Sequence, residues 1–255
     1  AEVGQGLVTV QQQIARTELG VERVVVAPAD TTVGSGGSSS ASRQTYVTGG
    51  AVREACRRVR DQVLARADTE RWEDIDLAAV LGDEYVEATT EWRHRPTEAV
   101  DLETGQGFAH VQYAFAAHRA VVDVDVELGL VKVVELACTQ DVGHAVNPQA
   151  VAGQIHGGTA QGMGLALMEE VVVTDGIIRN PSFTDYLIPT ILDMPPMQVD
   201  ILELPDPHAP YGLRGVGEPP TISSGPAVLA AVRAATGLSL TRVPIRPEHI
   251  CGTRP

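Results

Sequence analysis

Gly215-Val216-Gly217-Glu218-Pro219-Pro220 sets a lone carboxylate after two glycines and before two prolines. The glycines let the backbone approach another group closely. Pro219 has no backbone N–H and steers Glu218 toward an extended conformation. The stretch reads as a rigidly presented acid or base, with the rest of the chain as its scaffold. Asp206, His208, Pro210, Tyr211 and Gly212 mark a long loop leading into it. Beyond it, Ser224 is expected to cap a helix from Pro226 to Thr236, ended by Gly237. The tail from Ser239 to Pro255, punctuated by prolines, is expected to drape over the surface.

Upstream, Val122, Val124 and Val126 alternate with Asp123, Asp125 and Glu127. That period of two predicts a half-solvated strand, and Leu128-Gly129 turns it back into a second strand over Val131 to Ala137. The three acids mark its wet face rather than a metal cluster. Asn147-Pro148 is a strong helix start, an N-cap residue followed by proline at the first helical position. The helix is expected to reach about Glu170. It carries Gly153, Gly157, Gly158, Gly162 and Gly164, each costing roughly 0.5–1 kcal/mol against alanine in a helix interior. Two explanations stand, close packing of another backbone or close approach of a ligand. Gln154, His156 and Gln161 are the polar groups among these glycines. Asp175-Gly176 predicts a small hairpin, and Met197 to Leu204 a strand.

Toward the N-terminus, Leu7, Val10 and Ile14 fall on one face of a helix over 7–18 that Gly20 ends. Val21 to Ala27 reads as a strand. The run Gly34 to Ser42 that follows reads as a flexible linker on composition. As a loop between strand and helix, it reads as a place where backbone N–H groups receive a phosphate-like ligand. It contains neither the Gly-Lys-Ser/Thr of a P-loop nor a Gly-x-Gly-x-x-Gly fingerprint. A helix over about 48–67 follows, with Cys56 on its apolar face, and then a short helix near Trp72 to Leu81. Residues 92–106 read as a connection, dividing the chain into lobes of 1–100 and 101–255.

The 255 residues suffice for one large domain or two ordinary ones. A hydrophobic fraction of 44% with 20% charged residues fits a soluble globular protein, and 4% aromatics leaves the core to Val, Leu, Ile and Ala. The formal charge of −14 excludes a nucleic-acid partner and disfavours an anionic membrane surface. Three cysteines without a Cys-x-x-Cys pair exclude a disulfide framework or an iron–sulfur site, and reduced thiols imply a cytoplasmic location. The chain opens at Ala1, without an initiator Met and almost inside a motif, as a processed product or a piece of something longer would.

Taken together, Gly4-Gln5-Gly6, the loop Gly36 to Arg43 and Gly215 to Pro220 resemble the molybdenum hydroxylases, the xanthine dehydrogenase and aldehyde oxidase family. Asn147-Pro148 and Gly153-Gln154 match in order and spacing. The resemblance covers nearly the whole chain but only the C-terminal part of the family's large subunit, and it leans toward the bacterial xanthine dehydrogenases. It implies an α+β fold, two lobes of mixed sheet and helices. It also implies molybdenum held by molybdopterin, alone or as the cytosine dinucleotide. The implied reaction is oxidative hydroxylation of a purine such as hypoxanthine or xanthine, with water as oxygen source. An aldehyde, another N-heterocycle or carbon monoxide is the alternative substrate, and a non-catalytic assembly fragment the alternative role. Glu218 matches the family's general base toward the molybdenum-bound hydroxyl. Gly4, Gln5 and Gly6, then Ser40, Ala41 and Ser42, and Gln154 match residues around the cofactor, and no side chain need ligate the metal. Partners are implied too: the N-terminal half of the large subunit, or a chain supplying it, and subunits or domains carrying iron–sulfur clusters and FAD.

Overall fold

The computed structural model describes residues 1–252, arranged as two units. The first comprises Ala1–Tyr113 with Pro205–Arg214, and the second Ala114–Leu204 with Gly215 onward. Helices and a mixed sheet make the chain α+β.

In the first unit, α1 (Leu7–Leu19) buries Leu7, Val10 and Ile14, as their spacing predicts, and Gly20 ends it in the left-handed conformation. It packs on α2 (Gln44–Ala67), which begins four residues earlier than expected and buries Cys56 and Val63. Ile14 fits there because Gly49 has no side chain; a Cβ would stand 2.9 Å from the Ile14 Cδ1. A 3-10 turn at Trp72–Asp74 and α3 (Leu77–Leu81) replace the single short helix expected. Val21 to Ala27 forms no strand. No strand lies beside it among the described residues of this unit, so it has no ladder to join. Gln12 Nε2 donates to the Val24 carbonyl at 2.7 Å instead.

Residues 205–214 join this unit through polar anchors. Tyr211 Oη donates to Glu18 at 2.6 Å, and the Arg53 guanidinium lies 4.8 Å from the Tyr211 ring centroid. Tyr46 Oη donates to the His208 carbonyl at 3.3 Å. Asp206, buried, accepts from Gln112 Nε2 and from the His208 N–H, both at 2.8 Å. Burial pushes its carboxyl up, but the Gln112 amide, the His208 N–H and nearby Arg214 outweigh that and hold it below the usual range.

The second unit is built on a long hairpin. Strand β1 (Phe115–Asp125) pairs antiparallel with β2 (Leu130–Asp141), both longer than the alternation alone predicts. The register shifts between Val121 and Val122, so Val134 is an extra residue in β2. The inward series therefore changes phase, from Val133 to Leu136, Cys138 and Gln140. Burial, then Asp200, pushes the Cys138 thiol up to about 11, so it packs as an apolar group. β2 also pairs parallel with β5 (Met197–Leu202), giving the order β1-β2-β5. Between β2 and β5 the chain runs through α4 (Pro148–Leu167), capped by Asn147 as expected, and the small hairpin β3 (Val173–Thr174) and β4 (Ile177–Ile178).

Helix α5 spans Pro219–Thr236, a full two turns longer than the sequence predicts, with Pro226 inside it. Ser224 is not a cap; it is wholly buried in the helix. Pro219 and Pro220 suit the first helical positions, and packing supports the early start. Gly158 and Gly162 of α4 let the first turns of α5 approach so closely that a Cβ on Gly162 would sit 2.6 Å from the Thr221 carbonyl oxygen. That contact outweighs the hydrogen bond forfeited at Pro226. Val133, Leu136, Met163, Ala166 and Val228 form the core beneath it. Nor does the tail merely drape. Leu240, Ile245 and Ile250 bury against Val232, and α6 (Pro247–Cys251) docks where Gly129 turns the hairpin. The last three residues of that tail, 253–255, lie outside the described residues.

Because its folded pKa is lowered, Asp206 stabilises the chain above the ordinary carboxylate range, and this contribution is lost as pH falls through the lowered value. Asp206→Asn should cost about 1–3 kcal/mol at pH 7 in urea unfolding. The gap from the unsubstituted chain should close below pH ~4, the ordinary carboxylate range.

Candidate functional site

The first-unit stretches singled out from the sequence form two adjoining turns. Gly4 and Gly6 adopt φ of 102° and 85°, which bends residues 2–8 into a concave turn at the start of α1. Gln5 braces it, accepting from the Val3 N–H at 2.6 Å and donating to the Ala1 carbonyl at 2.7 Å. The N–H groups of Gly4, Gly6 and Val8 converge on the Glu2 carboxylate at 2.9, 3.1 and 3.0 Å. These bonds, that from Val8 foremost, hold the Glu2 carboxyl below its usual range. The turn thus closes on the chain's own Glu2 carboxylate, which its N–H groups hold as an anion.

The Gly/Ser loop meets it at Ser39, whose Oγ donates to the Ala1 carbonyl at 3.3 Å. Ser38 and Ser40 hydroxyls lie 2.7 Å apart. Ala41 and Ser42 both stand at positive φ, 59° and 51°, a strained pair for residues with a Cβ. Gln44, buried at the start of α2, donates to the Ser38 carbonyl at 3.0 Å, as Arg43 Nε does at 2.9 Å. These anchors make the run a shaped loop rather than a flexible linker. Gln44 went unrecognised in the sequence; a glutamine opening a helix directly after a Gly/Ser run was its only signal.

In the second unit the glycines of α4 divide into two sets. Gly158 and Gly162 face α5, and Gly164 faces Glu169 and Pro189. Gly153 and Gly157 are exposed, and a Cβ at either would meet nothing within 4 Å. Packing against another backbone therefore accounts for the first set, and the second set leaves an open face on α4. Gln154 is half-buried beside the open positions and His156 is exposed.

Glu218 occupies the N-cap of α5 with an exposed side chain. Its backbone is helical, φ −90° and ψ −33°, not extended as Pro219 predicts. The helix decides this: the Glu218 carbonyl accepts from Thr221 and Ile222 N–H at 3.0 and 3.2 Å. Two polar side chains that the sequence reading passed over flank the turn. Gln140 Nε2 donates to the Val216 carbonyl at 3.1 Å. His118 lies between Ser223 Oγ at 2.8 Å and Thr159 Oγ1 at 2.9 Å. A glutamine ending the apolar inward series of β2 was the visible sign of the first.

Residues 1–195 match the molybdopterin cofactor-binding domain family. The chain belongs to this family. It is 29% identical over 98% of its length to the xanthine dehydrogenase molybdenum-binding subunit of Escherichia coli O157:H7, of which it covers 36%. With the carbon monoxide dehydrogenase large chain of Afipia carboxidovorans it shares 30% identity over 91% of its own length and 31% of the other's. The solved aldehyde oxidoreductase of Desulfovibrio gigas superposes with a TM-score of 0.83 at 30% identity, over 98% of this chain and 27% of that one. The chain thus spans about a third of the length of the curated relatives it matches.

The residues present fit a molybdopterin. Within the first unit, the exposed serine hydroxyls on a loop of fixed shape suit a heteroatom-rich ligand of that kind. If the two glycine sets differ as described, Gly157→Ala should raise stability by about 0.5–1 kcal/mol through helix propensity alone. Gly162→Ala should lower it by about 1–3 kcal/mol by overpacking. Thermal unfolding of the two variants checks both signs.

Proposed function

We propose that this chain is the C-terminal molybdopterin-binding region of a xanthine dehydrogenase-like molybdenum hydroxylase, acting on a purine such as hypoxanthine or xanthine. The observation that carries the reading is the exposed Glu218 carboxylate on a turn fixed to the head of α5. Gly4, Gln5, Gly6, Ser40, Ala41 and Ser42 in the first unit, and Gln154 in the second, are the residues assigned to holding the pterin, alone or as its cytosine dinucleotide. When bound, that group supplies the two-electron oxidising centre.

The protein's part is positional and acid–base. Glu218 would take the proton of the water-derived oxygen, a general-base role that needs a carboxylate within reach of that proton. Small residues at Ser40, Ala41 and Ser42 keep the approach to the centre open. The remaining pocket comes from the upstream half of the large subunit, and electrons leave through iron–sulfur and flavin partners. Three unpaired cysteines support a reducing, cytoplasmic setting.

The names of the relatives support the cofactor more strongly than the substrate. Xanthine, aldehyde and carbon monoxide enzymes all appear among them, so a substrate panel on the assembled enzyme decides between purine and the others. Glu218→Gln in that assembly should lower turnover by about 10²–10⁴-fold with molybdenum and pterin content unchanged. Wild-type turnover at full loading overturns the general-base role. A preparation that never carries molybdenum or pterin overturns the enzyme reading in favour of an assembly fragment.

A further inference from the structure

His118 and Gln140 sit on adjacent strands, and their register places them together. His118 pairs with Cys138 and Ala116 with Gln140, so the two side chains are diagonal neighbours on one face of the β1–β2 hairpin. That face meets α4 and α5. Each side chain reaches past the apolar core to the backbone on one side of Glu218.

On the upstream side, Gln140 is wholly buried. Its Nε2 donates to the Val216 carbonyl at 3.1 Å, with the Gly215 carbonyl at 3.5 Å. Turning the amide over would set oxygen against oxygen, so the donor end is fixed. Its Oε1 is buried and has no hydrogen-bond partner. An orphaned buried acceptor costs on the order of 1–3 kcal/mol. Leucine or methionine in its place would avoid that cost. What only an amide offers here is its grip on the backbone of residues 215–216.

On the downstream side, His118 acts through Ser223. Ser223 Oγ stands 2.8 Å from His118 Nδ1 and 2.9 Å from the Pro219 carbonyl. The other ring nitrogen meets Thr159 Oγ1, which is itself 2.7 Å from the Ile155 carbonyl on α4. Burial favours the neutral ring; with its proton on Nδ1 it donates to Ser223 Oγ, whose own proton goes to the Pro219 carbonyl, while Nε2 accepts the Thr159 hydroxyl proton in place of the Ile155 carbonyl. One imidazole therefore ties the first turn of α5 and the middle of α4 to the sheet. Between the two ties lie Gly217 and Glu218 alone.

We propose that Gln140 and His118 are positioning residues for Glu218, holding the turn that carries it from both sides. The backbone at Gly215 and Gly217 has no intrinsic stiffness, and a displacement near 1 Å at a reacting group can cost roughly 10²-fold in rate. The proposal rests on the general-base reading of Glu218.

The experiment uses the assembled holoenzyme with Gln140→Met, His118→Phe and Glu218→Gln, singly and as Gln140→Met/Glu218→Gln. Gln140→Met removes the orphaned acceptor but also the donor to the 215–216 carbonyls, so the melting temperature should move little, while kcat falls about 10–100-fold and KM stays within about twofold. His118→Phe, which keeps the bulk but loses both bonds, should lower kcat in the same way. Amide exchange across residues 214–222 should quicken several-fold in both, with or without the metal centre. In the Glu218→Gln background Gln140→Met should add no further loss. If Glu218→Gln abolishes turnover while Gln140→Met and His118→Phe keep wild-type kcat and exchange, the positioning role is overturned and the base stands. Wild-type turnover in Glu218→Gln overturns the base itself, and quickened exchange in the other two then still reports the clamp on the turn. A Gln140→Met loss that persists in full on top of Glu218→Gln also overturns the positioning role.

Discussion

The second unit depends on how closely two helices can lie. Where α4 meets α5, Gly158 and Gly162 face Thr221 and Gly225, and the gap admits no Cβ at Gly162. This steric condition accommodates an α5 that starts at Pro219 rather than at Pro226. That start places Glu218 at a helix cap instead of on a free loop. It also brings Ser223 within reach of His118, and Thr221 Oγ1 within 3.0 Å of the Gly158 carbonyl. Glycines that cost helix propensity one by one are returned as backbone proximity, which no larger residue can supply.

How much of this was legible in the chain depended on whether the governing contact was local. Leu7, Val10 and Ile14 announced α1 because a helix face is written at fixed spacing. The β1–β2 hairpin announced itself through alternation, though not its length or its bulge, since the extra residue at Val134 leaves no mark in composition. Val24-Val25-Val26 misled because an apolar run specifies a strand only when another strand lies beside it. Ser224 resembles an N-cap until the Gly162 contact is known, and that partner lies about sixty residues away. Leu240, Ile245 and Ile250 are too broken by prolines for any period to flag them as core. The candidate site followed the same division. Its glycine and serine motifs were readable, while Gln44, Gln140 and His118, which act on backbone brought from elsewhere, were not.

The strain in the first unit is placed with the same economy. Ala41 and Ser42 hold left-handed backbone without being glycine, in the loop where Gln44 and Arg43 anchor the preceding residues from within α2. Unfavourable backbone persists only where the surroundings over-determine it. Here the surroundings are a buried amide and a helix start. The backbone that carries the exposed Ser38 hydroxyl is thereby held from the start of α2.

The excursion of Pro205–Arg214 into the first unit bears on how the chain comes to be folded. Tyr211, Asp206 and His208 complete contacts with Glu18, Gln112 and Tyr46, yet the whole of 114–204 is made in between. On a ribosome the first unit emerges early and must wait, unfinished, until its last segment is synthesised. Closing so long a loop costs only modestly more than closing a short one, so the penalty falls on time rather than on final stability. During that wait the Arg53 and Glu18 surfaces that receive Tyr211 are uncovered. Assembly of the two units is therefore interleaved rather than sequential, and the turn bearing Glu218 is laid down directly after the first unit is closed.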